Sequence, residues 1–284
     1  MASWCRHCGY PGDLTDEHIP ARSTNNDEPR GLILNPFSGE APQVQKLSEW
    51  DDGYVVKALC ERCNGRPSKW GYVAEYKKWF HLFYGLARER AAITNADPLR
   101  AVTAFGVGLP YDAHPARFVR QVIGMLLAVQ ETERLFAEHP ALVDLVGPEP
   151  GVSTDMRRVT GVVISPLRLY LSVCNRDWVI ARRETLFVEF QDSTVRSEIL
   201  WTPTTMMTRQ CPAYLLSLAP FAFVLTTCRD ASYGHDISDW AAWTVDQRPK
   251  TSQRYLSIPT VDSLEALRPL FYGRLGRGRA ESTL

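Results

Sequence analysis

The sequence predicts an α+β protein whose helices and strands occupy different parts of the chain. Three observations support this fold class. Two Cys-x-x-Cys pairs, at residues 5–8 and 60–63, enclose a segment with short strand candidates. Apolar residues recur at helical spacing over residues 70–92 and 115–137. Short β-branched and aromatic runs follow residue 151, which is typical of an antiparallel β-rich domain.

Composition places the chain among soluble globular proteins. Hydrophobic residues make up 45% of its 284 residues and charged residues 23%, which argues against disorder. The 32 basic and 32 acidic residues balance, so no overall basic field attracts nucleic acid, and any such contact must be local. No signal-peptide pattern opens the chain and no apolar run reaches the roughly 18 residues of a membrane span. We therefore expect a cytoplasmic protein without membrane contact.

The N-terminal segment predicts two strands between the cysteine pairs. Turn-forming residues follow Cys8, and residues 14–19 form the first strand candidate. Residues 20–52 are rich in proline, glycine and asparagine, so we expect a long loop in which only residues 31–34 are ordered. Residues 54–59 then form a strand that leads into Cys60.

The middle of the chain predicts helices. One begins near Pro67 and runs to about residue 92, a second covers residues 115–137, and a short one covers 140–146. Residues 101–109 could form a strand. Glycine and proline at residues 147–151 interrupt the helical pattern, so we expect a domain boundary there. With it, the chain divides into three parts. They are a metal-binding module at 1–95, a helical connection at 96–147 and a β-rich domain of unknown role at 148–284.

The C-terminal half predicts short strands and carries no recognisable catalytic motif. The strand candidates are residues 158–164, 167–173, 178–181, 185–190, 197–201, 219–226 and 255–258. The tryptophans of this half favour a hydrophobic core; they are Trp178, Trp201, Trp240 and Trp243. His235 and Asp236 lie in a polar stretch that predicts a turn.

The spacing of Cys5, Cys8, Cys60 and Cys63 predicts a structural zinc site. Each pair forms a tight turn that directs two sulfurs at one point, and two such turns complete a tetrahedral shell. Unligated buried thiols are the alternative. His7 could replace one cysteine as ligand, but four cysteines suffice, so we expect it to be exposed. The remaining cysteines lie in apolar surroundings and predict buried thiols; they are Cys174, Cys211 and Cys228.

The order CxxC, Glu-His-Ile-Pro, CxxC-Asn, followed by a helix, resembles the HNH endonuclease superfamily. The resemblance covers residues 5–69, about a quarter of the chain. It implies a ββα-metal fold held by a structural zinc ion. By the same resemblance, His18 is the general base, and Glu17 and Asn64 bind a catalytic Mg²⁺ or Mn²⁺.

The chain differs from the family pattern at the second strand. Many members have an asparagine there, whereas this chain has Val55. The interval between His18 and Cys60 is also longer than usual, so Asn35, Asp51 or Asp52 could supply the polar group.

Simpler structural roles remain open for several residues. A histidine at a strand end can be held by a hydrogen bond, and an asparagine after a cysteine pair can cap a helix. Five basic residues around the second pair could form a phosphate-binding strip or simply a solvated helix face; they are Arg62, Arg66, Lys69, Lys77 and Lys78.

The resemblance implies metal-dependent hydrolysis of phosphodiester bonds in DNA, with a possible role in bacterial defence against phage. The C-terminal domain would then bind a protein partner or another copy of the chain. The alternative is a non-catalytic, zinc-stabilised protein that binds nucleic acid or protein through a degenerate site.

Overall fold

The computed structural model describes residues 4–24, 31–34, 43–46, 55–96, 104–129, 139–146, 164–174, 183–190, 207–218, 220–227 and 234–261. Within these residues the predicted mixture of helix and sheet is confirmed. The α-helices are α1 (Glu61–Lys69), α2 (Tyr72–Ala96), α3 (Pro115–Val129) and α4 (Ala141–Val146). The strands are β1 (Thr15–His18), β2 (Gly31–Leu34), β3 (Gln43–Lys46), β4 (Val55–Leu59), β5 (Ala104–Gly108), β6 (Arg168–Cys174), β7 (Arg183–Phe190), β8 (Met207–Leu218), β9 (Phe221–Thr226), β10 (His235–Asp236) and β11 (Tyr255–Val261).

The N-terminal strands form two small antiparallel sheets. Strand β1 pairs with β4, in the positions expected for the strands between the cysteine pairs. Strand β2 pairs with β3, so the segment expected to be a loop contains a hairpin. Sequence analysis missed β3 because its four residues include only one apolar side chain.

Two helices replace the single helix expected from Pro67. Helix α1 begins at Glu61, directly after Cys60, and Pro67 lies inside it. Gly71 separates the two helices with a φ of +74°, a left-handed conformation that favours glycine. A Cβ atom at this position would lie 2.9 Å from Arg117 Nη1, so the tip of that side chain would have to shift.

Helix α3 lies at the centre of the fold. All of its residues except Arg117 are buried, which explains its strongly apolar sequence. The helix was expected to continue to residue 137, but residues 130–138 lie outside the described part of the chain. No helix within the described ranges is long and apolar enough to span a membrane.

The main sheet has seven strands and is mixed. The order is β5-β11-β6-β9-β8-β7, and β10 pairs with β6. All pairings are antiparallel except that of β11 with β6, so the expectation of a purely antiparallel sheet is wrong. Four predicted strands coincide with β6, β7, β9 and β11, while β8 and β10 were missed. The candidates at 158–164, 178–181 and 197–201 lie wholly or mostly outside the described residues.

One core joins residues from all three parts of the chain. Trp79 of α2 stacks on Phe118 of α3 at 4.2 Å between ring centroids, and Phe118 meets Phe221 of β9 at 5.5 Å. Trp240, predicted to belong to a core, packs edge-on against Trp79 at 5.4 Å. Strand β5, from the expected helical connection, pairs with β11 of the C-terminal half. These contacts cross both expected boundaries.

A buried carboxylate connects α2 to the loop before α3. Glu75 is 4% exposed, and its Oε1 accepts hydrogen bonds from Trp79 Nε1 and from the backbone N–H of His114, both at 2.8 Å. Its second oxygen lies 3.3 Å from Lys78 Nζ. The carboxylate therefore satisfies two donors that would otherwise be short of partners.

We expect Glu75→Ala to lower the free energy of unfolding by about 2–4 kcal/mol, because it leaves these two donors without an acceptor. Glu89→Ala is the matched control, since Glu89 is exposed on the same helix and its removal should cost less than about 0.5 kcal/mol. Urea denaturation of both variants measures the difference. Equal losses would show that the Glu75 contacts contribute nothing.

The turn before β10 depends on close backbone packing. Gly234 has a φ of +140°, and a Cβ atom there would lie 2.7 Å from the carbonyl oxygen of Leu171. The next residue, His235, pairs with Leu171 and is half-buried. Burial lowers the pKa of His235, although a backbone hydrogen bond to Ser257 and the charge of Asp236 act in the opposite direction.

Because the folded state resists protonation of His235, its contribution to stability is present above the unfolded pKa of about 6.5 and is lost as the pH falls below it. We expect His235→Gln to flatten the decline in unfolding free energy between pH 6.5 and pH 5. Denaturation at several pH values measures the slope, with the exposed His81→Gln on α2 as control. An unchanged slope in the His235 variant would contradict this assignment.

Candidate metal centre and active site

The four cysteines of the two CxxC pairs form one cluster. The sulfur atoms of Cys5, Cys8, Cys60 and Cys63 all lie within 4.8 Å of one another, and those of Cys8 and Cys60 are 3.8 Å apart. Four sulfurs at about 2.3 Å from a tetrahedral Zn²⁺ would stand roughly 3.8 Å apart. The cluster could therefore bind a metal ion such as zinc. Within the described ranges it is the only group of three or more His, Cys, Asp or Glu side chains with such spacing.

Backbone hydrogen bonds shape both cysteine turns. The carbonyl oxygen of Cys5 accepts from Gly9 N at 2.8 Å, and Gly9 adopts a φ of 65° to close the turn. The carbonyl oxygen of Cys60 accepts from Cys63 N at 2.9 Å. Cys60 is also the N-cap residue of α1, so the second pair lies at a helix N-terminus, where the dipole favours negatively charged thiolates.

Electrostatics within the cluster favour an ionised sulfur. A hydrogen bond from Cys63 lowers the pKa of Cys5 to about 4 against the opposing effect of burial. The same interaction raises the pKa of Cys63. Closely spaced thiolates repel one another, and a bound cation removes this repulsion, which suits the donor set to Zn²⁺.

The first cysteine turn is anchored on helix α3. His7 Nε2 donates to the carbonyl oxygen of Gly124 at 3.1 Å, and Arg6 Nη1 donates to that of Ala128. His7 is only 5% exposed, so the expectation that it is exposed is wrong. A Cβ atom on Gly124 would lie 3.4 Å from the His7 ring, so glycine allows this approach. His7 therefore attaches the first cysteine turn to α3, because the ring nitrogen that forms the hydrogen bond faces that helix.

Glu17 and His18 occupy the end of β1. They lie opposite Val56 and Val55 of β4, respectively. Glu17 is half-buried, and burial raises its pKa to about 7. Within the described part of the chain it has no ion-pair partner. A carboxylate in this setting could accept a cation as its counter-charge. Mg²⁺ and Mn²⁺ prefer oxygen ligands, so the surroundings of Glu17 fit its predicted role.

Arg22 contacts the predicted general base. Its Nε donates to His18 Nε2 at 3.0 Å, so the proton of the neutral imidazole is on Nδ1. Arg22 begins the short 3-10 helix Arg22–Thr24, which follows the turn after β1. Sequence analysis gave this residue no role, because nothing in the local pattern shows that the chain turns back toward His18.

Asn64 ties helix α1 to strand β1. Its Nδ2 donates to Thr15 Oγ1 and to the carbonyl oxygen of Asp16, both at 2.9 Å. The alternative that Asn64 caps the helix is wrong, because the N-cap residue is Cys60. Asn64 Oδ1 accepts no hydrogen bond from the described residues, so this oxygen could accept one from another group or contact a cation.

The other candidate residues have varied surroundings. The second-strand position opposite His18 is Val55, as expected from the sequence. Asn35, Asp51 and Asp52 lie outside the described residues. Of the five basic residues around the second cysteine pair, Lys78 pairs with Asp112 at 2.8 Å.

Two further basic and polar candidates have structural contacts. Arg66 lies over the Trp70 ring at 5.6 Å from its centroid. His235 and Asp236 were predicted to lie in a turn, but they form strand β10. Asp236 accepts a hydrogen bond from the backbone N–H of Ser238 at 2.9 Å. The side chains of Cys174 and Cys211, and all of Cys228, lie outside the described part of the chain.

We expect the purified protein to contain one zinc ion per chain and Cys63→Ser to lose it, because a hydroxyl replaces one of four thiolate ligands. His7→Gln is the matched control: it alters the same cluster region but removes no predicted ligand, and it should retain zinc. Atomic emission spectrometry measures the metal content of each. Full zinc content in the Cys63 variant would contradict the four-cysteine site.

No protein-family model matches the chain. No curated protein and no solved structure matches it either. The chemistry of the site is therefore inferred from the residues of this chain alone. They are a four-cysteine cluster that could hold zinc and the strand beside it, which ends in Glu17 and His18.

Proposed function

We propose that the protein is a metal-dependent endonuclease of the HNH type that hydrolyses phosphodiester bonds in DNA. The observation that carries this proposal is the link from Asn64 to β1. This link holds the helix after the second cysteine pair against the strand that ends in Glu17 and His18. The arrangement is the one that the motif resemblance implies for a ββα-metal unit.

Glu17 and Asn64 would hold a catalytic Mg²⁺ or Mn²⁺ through a carboxylate and an amide oxygen. The bound cation would polarise the scissile phosphate and stabilise negative charge on the leaving oxygen. Glu17 would contribute the negative charge, and the hydrogen bonds of Asn64 to β1 would fix the position of the second ligand. The four-cysteine site would hold a separate, structural zinc ion that keeps β4 and α1 in place.

His18 would take a proton from the attacking water. The water oxygen bonds to phosphorus, one bridging P–O bond breaks, and the products are a phosphate monoester and a hydroxyl end. Arg22 keeps Nε2 unprotonated by donating to it. A phosphate group is a stronger acceptor for a guanidinium than a neutral imidazole is. We infer that incoming DNA draws Arg22 to its backbone and frees Nε2 to act as the base.

A second candidate function is a non-catalytic protein that binds nucleic acid or protein through the zinc-stabilised module. Val55 opposite His18 favours it, because the family's usual polar residue is replaced by an apolar one. In that case Arg22 and His18 would form a structural pair. Cleavage activity separates the two functions directly.

We expect the protein to nick or cut supercoiled plasmid in the presence of Mg²⁺ or Mn²⁺, and His18→Ala to slow cleavage by about 100-fold or more, the usual contribution of a general base. Agarose gel electrophoresis over time measures the rates. The control is His81→Ala, which removes an exposed histidine from α2 and should leave the rate unchanged.

Zinc content is measured for each variant, so that loss of the fold is not mistaken for loss of the base. Cleavage that survives in His18→Ala would remove His18 from the mechanism. Absence of cleavage by all proteins, with zinc retained, would favour the binding function.

A further inference from the structure

Two exposed tyrosines lie on neighbouring segments at one end of the β5–β11 pair. Tyr111 is 82% exposed and Tyr255 is 80% exposed, more than any other large hydrophobic residue in the described ranges. Tyr111 comes three residues after the end of β5, and Tyr255 begins β11 opposite Gly108, the last residue of β5. Two aromatic side chains this exposed on neighbouring segments indicate a surface for a partner.

Arg254 joins the two tyrosines and is fixed in place. Its guanidinium carbon lies 3.4 Å from the centroid of the Tyr111 ring. Its Nε and Nη2 donate to the carbonyl oxygen of Leu109 at 3.0 and 2.6 Å. One face of the Tyr111 ring is thus covered by an anchored cation while the residue stays highly exposed. We call Tyr111, Arg254 and Tyr255 the tyrosine platform.

The sheet surface beside the platform is flat. Gly108 lies directly across from Tyr255, and Gly106 lies across from Ser257. Added Cβ atoms at both glycines would meet nothing within 4 Å, so the space above β5 is open. An extended chain can therefore lie along these two strands next to the exposed ring.

Two acidic residues in the segments beside the platform have cationic partners. Asp112 follows Tyr111, and a hydrogen bond from Lys78, which also pairs with Glu75, lowers the pKa of Asp112. Asp246 forms an ion pair with Arg117. These ion pairs reduce the repulsion that an anionic partner would meet.

The basic groups near the platform are less engaged. Arg248 and Lys250 form no ion pair among the described residues, and Lys250 is exposed. The charge of Arg248 acts on the ring of His114, three residues after Tyr111, although burial is the larger cause of the lowered pKa of His114.

We propose that the tyrosine platform binds single-stranded nucleic acid, with bases stacked on the exposed tyrosines and the backbone held by Arg248, Lys250 and Arg254. Stacking on aromatic rings beside cations is the usual mode for unpaired strands, because every base has an aromatic face. Bases in a duplex already stack on each other, so the platform would favour single strands over duplex. The proposal extends the proposed function, since it names the form of nucleic acid that the protein holds.

The test measures binding of a fluorescently labelled 20-nucleotide single-stranded DNA, and of its duplex, by fluorescence anisotropy. His18→Ala is the parent protein and no divalent cation is added, so that cleavage cannot interfere. Further substitutions in this parent are Tyr111→Ala, Tyr111→Phe and the paired change Arg248→Ala with Lys250→Ala. Tyr84→Ala is the control, because it removes an exposed tyrosine from α2.

We expect Tyr111→Ala to weaken single-strand binding by about tenfold, and Tyr111→Phe to stay within about twofold of the parent because it keeps the ring. The paired basic change should lower the salt dependence of binding, since fewer counterions are released. The Tyr84 control should bind like the parent.

Three results would overturn the proposal: no binding by the parent, parent-like binding by Tyr111→Ala, or duplex binding at least as tight as single-strand binding. Circular dichroism and zinc content verify that each variant is folded. The result does not depend on catalysis. Binding that depends on the platform, without plasmid cleavage, would support this binding surface and contradict the proposed nuclease activity. Plasmid cleavage without such binding would support the nuclease activity and contradict this binding surface.

Discussion

The anchoring of the first cysteine turn on helix α3 is the contact that relates the metal cluster to the rest of the protein. Arg6 and His7 lie between Cys5 and Cys8 in sequence, so the turn that directs two sulfurs inward also directs two hydrogen-bond donors at α3. The same four residues thus form half of the cysteine cluster and attach it to helix α3.

This contact places the candidate active site on a rigid support. Helix α3 is buried on nearly all sides, and the N-terminal strands reach it through the cysteine turn. The strand that carries the candidates Glu17 and His18 is held by its pairing with β4 and by the hydrogen bonds of Asn64 to β1. The cysteine turns, one strand pair and one amide side chain therefore position the site.

Sequence patterns predicted the parts of this structure that depend on local spacing. Features defined by residues only a few positions apart can be recognised from a linear pattern. They are the cysteine pairs, the strand ending at His18 and the apolar face of α3. The burial of His7, the contact of Arg22 with His18 and the parallel pairing of β11 with β6 depend on residues far away or on chain reversal. No local pattern encodes such contacts, because they are set by how finished elements pack.

The break between α1 and α2 has an evolutionary consequence. Gly71 makes room for Arg117, and Arg117 in turn pairs with Asp246 on a distant part of the chain. A Cβ atom at position 71 would come within 2.9 Å of Arg117 Nη1, so the guanidinium that pairs with Asp246 would have to shift. Substitutions at these three positions should therefore be correlated among related sequences, although no two of them are neighbours in the chain. Correlated changes at positions 71, 117 and 246 would thus indicate where helix α1 ends and helix α2 begins.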